Sequence, residues 1–276
     1  MINKIQLVGF LILFNFLCIH GQQYLSAPNE PVNLAIIGSE LRGPVRTLLA
    51  VEVWGVDIDG EKLRNTVAET FTPDGRRVES IYHSAAKEPD NGKIIRGDYV
   101  STYSYDPATK LLKITHTELD GSIRGVSVRQ YNTNSRLSEE TTYVGDMKLL
   151  DRSTFSYDDA ESTTTETRIS YAEGKQTQTN KTISRTNAKG WMIERVSYRA
   201  DGQVDNRSTY EYDDKGNLTK QVSFTSGSSN SSYIHLFDYK FDAHGNWIER
   251  RDTLVTNGRE RKEWSIGYRT ITYYQS

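Results

Sequence analysis

The sequence predicts an all-β fold: a long antiparallel up-and-down meander of tandem β-hairpin repeats, curled or folded over on itself. Three observations lead there. A turn glycine recurs at a near-constant spacing, and apolar and polar residues alternate between the turns. The core-forming residues are also aromatic and β-branched: 17 tyrosines accompany a hydrophobic fraction of only 36%, which suits sheets better than helical bundles.

Residues 1–21 have the pattern of a signal peptide. Lys4 is the positive start, an apolar run extends from Ile5 to Ile19, and Gly21 is a small residue suited to the cleavage position. The run is short for a span, which takes about 20 apolar residues. Lipid attachment at Cys18, the single cysteine, is opposed by the bulky Leu17 before it. Cleavage after Gly21 leaves a cysteine-free chain that is exported to the periplasm, the cell surface or the medium without using disulfides. Residues 22–43, with Pro28, Asn29, Pro31 and Asn33, read as a linker or short helical cap. A repeat domain then occupies 44–276, its first strand beginning near Pro44.

The repeat itself superimposes on its turns. Aligned segments begin at Glu69, Tyr103, Arg129, Phe155, Arg185, Tyr210 and Tyr239, with equivalent turn positions Gly75, Thr109, Ser135, Glu161, Gly190, Gly216 and Gly245. Between these falls a second series at Gly60, Gly92, Gly121, Gly145, Gly174, Gly202, Gly227 and Gly258. Each unit therefore holds two strands and two reversals. In Thr72-Pro73-Asp74-Gly75, Pro presets the first corner and Gly accepts the left-handed conformation. Asp213 and Asp242 lead equivalent turns, where a carboxylate can accept backbone N–H groups. Between turns the strands have period two. Tyr210 and Tyr212 share a face with Asn206 and Ser208; Leu218, Val222 and Phe224 oppose Gln221, Ser223 and Thr225. Tyr233, Phe237, Tyr239 and Phe241 line one face around His235.

The pattern aromatic-x-aromatic-Asp-x-x-Gly-Asn, clearest in YEYDDKGNL from Tyr210 and KFDAHGNWI from Lys240, resembles the YD repeat of the RHS group of bacterial surface and toxin-associated proteins. The resemblance runs from about Glu69 to the C-terminus. It implies strand pairs wound into a curled sheet or shell, sometimes enclosing a toxic domain. This chain is far shorter than a complete shell, and neither an effector region nor an autoproteolytic motif follows the last repeat.

About fourteen strands at ~4.8 Å spacing give a sheet roughly 67 Å wide. Closed into a barrel it is too wide for side chains to fill, so a folded-over or spiral sheet is expected. A lipid-embedded barrel needs an apolar outer band about 25 Å tall, whereas the candidate outward faces carry Asn206, Ser208, Lys220, Glu249 and Arg251 near mid-strand.

No catalytic motif is present, whether nucleophile elbow, phosphate loop or dinucleotide fingerprint. His83, His116, His235 and His244 lack metal-ligand spacing, so no cofactor or metal is expected. His244 reads as a solvated turn residue and His235 as a packed one. Acidic pairs such as Glu139 with Glu140 and Asp213 with Asp214 occupy turns or opposite strand faces, where a glycosidase dyad cannot form. The charged stretch Arg250 to Asp252 reads as a solvated face. With 34 Lys+Arg against 36 Asp+Glu there is no basic footprint for nucleic acid. Trp191, Trp247 and Trp264 are the binding candidates: exposed, they would offer a stacking platform for sugars or peptides; buried, they would join one hairpin to the next. The sequence thus points to an exported, non-enzymatic binding or structural module of the cell envelope, its partner a protein or glycan at the cell surface. The alternatives are a secreted hydrolase of carbohydrate or peptide and a remnant of a toxin-enclosing shell.

Overall fold

The computed structural model describes residues 33–34, 39–41, 44–58, 61–87, 94–226, 232–256 and 260–274. Residues 1–21, where the sequence predicts a signal peptide, most of 22–43, and the turn glycines Gly60, Gly92, Gly227 and Gly258 lie outside the described residues.

Two short strands, β1 (Asn33–Leu34) and β2 (Ser39–Glu40), pair with each other. The repeat region begins with β3 (Val45–Ile58), β4 (Glu61–Phe71), β5 (Arg77–Lys87) and β6 (Ile94–Asp106). It continues with β7 (Leu111–Glu118), β8 (Ile123–Tyr131), β9 (Leu137–Val144), β10 (Lys148–Asp158) and β11 (Thr163–Ala172). Then come β12 (Lys175–Thr186), β13 (Met192–Tyr198), β14 (Val204–Tyr212) and β15 (Leu218–Thr225). The last are β16 (Ser232–Phe241), β17 (Trp247–Thr256) and β18 (Glu260–Tyr273).

Every strand from β3 to β18 pairs antiparallel with its sequence neighbour, as an up-and-down meander must. The meander folds on itself by closing: β18 pairs with β3 from Ser265↔Trp54 to Tyr273↔Val45. The result is a closed barrel of sixteen strands, two more than the repeat spacing suggests. The surplus is β3 and β18, which flank the fourteen strands joined by the seven repeat turns and pair with each other to close the wall. A closed wall removes the two free edges that a folded-over or spiral sheet would leave.

The repeat turns collect at one end of the barrel together with both ends of the sheet, where Tyr274 N–H donates to the Pro44 carbonyl. Five of them share one geometry. The leading residue (Thr72, Asn132, Asn187, Asp213 or Asp242) donates its N–H four residues on and accepts from the N–H three residues on. That third residue has positive φ: Gly75, Ser135, Gly190, Gly216 and Gly245. In the other two repeat turns the left-handed residues are Lys110 and Ser162, one position beyond Thr109 and Glu161. Their left-handed residue comes one position later than in the other five, which hides the register in the sequence. The motif's remaining residues follow from this geometry. Asp213 Oδ1 accepts from the N–H groups of Lys215 and Asn217, and the Asn217 amide donates to Oδ2 at 2.7 Å. Tyrosines join consecutive units: the Tyr157 hydroxyl donates to the Leu137 carbonyl and that of Tyr239 to the Leu218 carbonyl, each 2.7 Å.

Tracing register from strand to strand sorts the side chains to two walls. Leu48, Glu69, Ser80, Ser101 and His116 follow one another on the inner wall, as do Ser184, Arg195, Ser208, Ser223 and Tyr233 farther round. Two apolar clusters lie on the inner wall at the repeat-turn end. Leu41, Val45, Leu48 and Phe71 form one; Met192, Tyr210, Leu218 and Phe237 form the other. Leu41 thus places the chain just before the barrel against its inner mouth.

Candidate functional site on the inner wall

The inner wall concentrates the chemistry of this molecule. Arg250 and Asp252 are 9% and 6% exposed, and only Arg251 between them faces outward. The expectation of a solvated face for this stretch is therefore corrected. In a barrel this wide the inner wall retains polar residues, so charge there does not mark the outside. Glu52 accepts from Arg250 at 3.0 Å and from Ser265 at 2.9 Å, bridging β17, β18 and β3. His235, which the sequence leaves without a visible partner, places Nδ1 2.9 Å from Asp252.

One strand beyond the seam, Glu69 is 1% exposed and lies 3.0 Å from Arg77 and 3.2 Å from the Ser80 hydroxyl, which donates to it. Burial pushes its carboxyl above the usual range, against the opposing pull of Arg77. Arg269, 4% exposed, is pushed well below the ordinary arginine value by burial and by neighbouring Arg250. Its guanidinium lies 3.5 Å over the Trp247 ring, which Arg250 approaches at 5.6 Å. On the opposite arc, Arg129 pairs with Glu140 at 3.0 Å. Arg168 grips Asp151 through two nitrogens at 3.1 and 2.6 Å, and Ser153 donates to Glu166 at 2.8 Å. Acid–base pairs thus run around the wall instead of forming a field of one sign.

The three tryptophans do not converge. Trp247 is 1% exposed and packed among Arg250, Arg269 and Tyr239. Trp191 is half-buried four strands away, its ring against Gly216, Tyr212 and Lys189. Trp264 sits at the bulge between β17 and β18, edge-on to His235 at 6.2 Å. Trp247 and Trp191 therefore join neighbouring hairpins, while Trp264 belongs to the inner wall toward the other mouth. His244 is exposed but stacks on Tyr273 at 4.0 Å. Glu139 faces out to Arg152 and Glu140 faces in to Arg129, so that acidic pair is split between the walls. Among the described residues, no group of three or more His, Cys, Asp or Glu is placed to hold a metal ion.

Between Ser127 and Thr225 the inner wall carries many hydroxyls and amides. Ser127 meets Thr142, Thr182 meets Ser197 and Ser208 meets Ser223 across neighbouring strands, at 3.3, 3.3 and 2.9 Å. Alternation alone sets Gln221, Ser223 and Thr225 on a polar reverse face and Asn206 and Ser208 on an outward one; all five face the interior, while Val222 and Phe224 face out. Toward the mouth away from the repeat turns, inward residues become exposed, among them Gln178, Thr225 and Tyr233.

The outer wall is a different surface. Short apolar and threonine runs such as Leu49, Val51 and Val53, or Thr165, Thr167 and Ile169, are crossed by exposed ion pairs. Arg152 pairs with Glu139 at 2.6 Å, Arg207 with Glu194 at 2.8 Å, and Arg251 with Glu249 at 2.9 Å. No described helix is long and apolar enough to cross a membrane, which leaves strands out of account.

No family model and no curated protein matches this sequence. Among solved structures, the fold is similar to that of a porin-like protein from Bacteroides uniformis: TM-score 0.51, 14% identity, covering 84% of this chain and 98% of that one. A porin-like protein from Bacteroides vulgatus gives a TM-score of 0.46 at 12% identity, covering 83% of this chain and 99% of that one.

Proposed function

We propose that this chain is an exported, non-enzymatic envelope protein whose barrel stands in water and holds a ligand on its inner wall. The observation that carries this reading is the outer wall. Its apolar runs are two or three outward residues long, roughly 10–15 Å along a strand, against the 25 Å or so that a lipid-facing band requires. Arg152, Arg207 and Arg251 interrupt it near mid-strand, where a lipid-facing arginine costs about 2–4 kcal/mol. The inner wall, by contrast, supplies hydrogen-bonding groups and aromatic rings in a concave space. The shared turn geometry of the repeats supports a divergent relationship to YD repeats, used here as a binding scaffold and not as a toxin shell.

A second reading is a barrel spanning the outer membrane, as the word porin-like suggests for the Bacteroides uniformis protein; the export leader and even strand count favour it. Detergent phase separation of the processed chain from the envelope distinguishes the two. Recovery in the aqueous phase is expected, with no channel activity in lipid bilayers. Partition into the detergent phase, or stepwise conductance, would replace the first reading with the second.

A further inference from the structure

On β14 and β15, toward the exposed mouth, four inward side chains form a directed chain of hydrogen bonds. The Gln221 amide donates to the Ser223 hydroxyl at 3.0 Å, and the Ser223 and Ser208 hydroxyls are 2.9 Å apart. Ser208 in turn donates to the Asn206 carbonyl oxygen at 3.1 Å. Ser208 gives its proton to Asn206 and therefore accepts from Ser223, which accepts from Gln221. One direction satisfies every link, and it fixes both amides. Among the described residues two groups are left over: the Asn206 amide N–H groups and the Gln221 carbonyl oxygen. An amide held by its neighbours presents its free end without losing rotamer freedom when a ligand arrives.

Directly across the ladder from Ser223 stands Tyr233, an inward residue that is nevertheless 40% exposed. A large ring left open on the concave side of a barrel, beside fixed donors and acceptors, is a stacking surface without an occupant among the described residues. The aliphatic residues that alternate with this set, Val222 and Ile234, face the other way. Within the set, hydrogen-bonding groups of both kinds and an aromatic face occur without a carboxylate or a cation; Arg195, across the ladder from Ser208, borders it.

We infer that this patch, Asn206, Ser208, Gln221 and Ser223 with Tyr233, is a binding subsite for a neutral carbohydrate. A pyranose ring offers both features that the patch complements. Its hydroxyls act as donor and acceptor to the two amide ends, and its C–H face lies on an aromatic ring. The five residues themselves carry no charge with which to select a charged polymer, and the bordering Arg195 makes an anionic sugar the necessary contrast. The inference rests on the reading of the barrel as a water-exposed binding protein and names its ligand class.

Calorimetric titration of the processed chain with neutral hexasaccharides of glucose, xylose and N-acetylglucosamine tests it, with hexagalacturonate as the anionic contrast. At least one neutral sugar is expected to bind. Tyr233→Ala is expected to weaken that binding about tenfold, the equivalent of about 1.4 kcal/mol, and Asn206→Ala to weaken it as well. Phe224→Ala, on the outer wall of the same strand pair, is expected to leave affinity unchanged, and all three variants to keep the parent's circular dichroism. An aqueous protein that binds none of the neutral sugars, or binds only hexagalacturonate, overturns the assignment. So does neutral-sugar binding that Tyr233→Ala leaves untouched. Partition into detergent would instead remove the premise, so the two failures are distinguishable.

Discussion

Glu69 and Arg77 show how this protein keeps charge inside a wall made of sheet. A buried carboxylate is tolerated only when it is paired and hydrogen-bonded. Here Arg77 supplies the charge at 3.0 Å, Ser80 donates at 3.2 Å, and the Tyr103 hydroxyl lies 3.2 Å from Ser80. Burial weakens the charged form of both partners, yet the carboxylate raises the arginine pKa while the arginine restrains the rise at Glu69. Removing one partner therefore strands the other. Glu69→Ala is expected to destabilise the fold by about 3–5 kcal/mol, and the double change Glu69→Leu with Arg77→Leu by much less. Denaturant unfolding of the two single variants and the double variant measures this. Additive losses would mean that the pair is not coupled.

At the scale of the hairpin, the repeat turn is the unit the sequence specifies. Gly216 has φ +89, and a Cβ there would come within 3.0 Å of the Trp191 ring. Gly216→Val is expected to cost more than about 1 kcal/mol, because a β-branched residue resists positive φ. Ser135 holds the equivalent position at φ 58 without being glycine, so Ser135→Gly is expected to raise stability by roughly 1 kcal/mol. Thermal melts of the two variants should shift in opposite directions; a shared direction would refute the turn alignment. Turns were legible because their chemistry is local: an Asp or Asn side chain caps two N–H groups and a glycine supplies positive φ within five residues. The turns with Lys110 and Ser162 in the left-handed position hid their register because no glycine marks them. What lies inside was less legible. Period two separates Gln221 and Ser223 from Val222 and Phe224, but which set faces in depends on whether the sheet closes on a dry core or on a wide interior. Arg250 and Asp252 were misplaced for the same reason. Their partners, Glu52 on β3 and His235 on β16, come from strands that only the assembled wall brings near.

For the whole molecule the decisive event is closure. The pair β3 and β18 joins the two ends of the meander, with the Thr47 and Thr272 hydroxyls in contact although 225 residues apart. The Tyr274 hydroxyl reaches the Phe71 carbonyl at 2.6 Å and Arg250 reaches Glu52 across the seam. Every other strand pair is local in sequence, so the seam alone carries a large loop-closure cost and should form late in folding. Until it forms, β3 and β18 present open edges. The same geometry brings the two ends of the sheet together, since Tyr274 N–H donates to the Pro44 carbonyl at 2.8 Å. A circular permutant that links Tyr274 to Leu41 through a short Gly/Ser segment, with new termini between Asp201 and Gly202, keeps both neighbours for every strand. It makes the seam a local hairpin and moves the long-range closure to β13 and β14. The permutant is expected to reach the parent's circular dichroism and a similar melting temperature, because the set of strand pairs is unchanged. If the sheet were instead open between β3 and β18, the same cut would divide the meander at β13 and β14 with nothing to hold the new edges, and the permutant would aggregate or melt well below the parent.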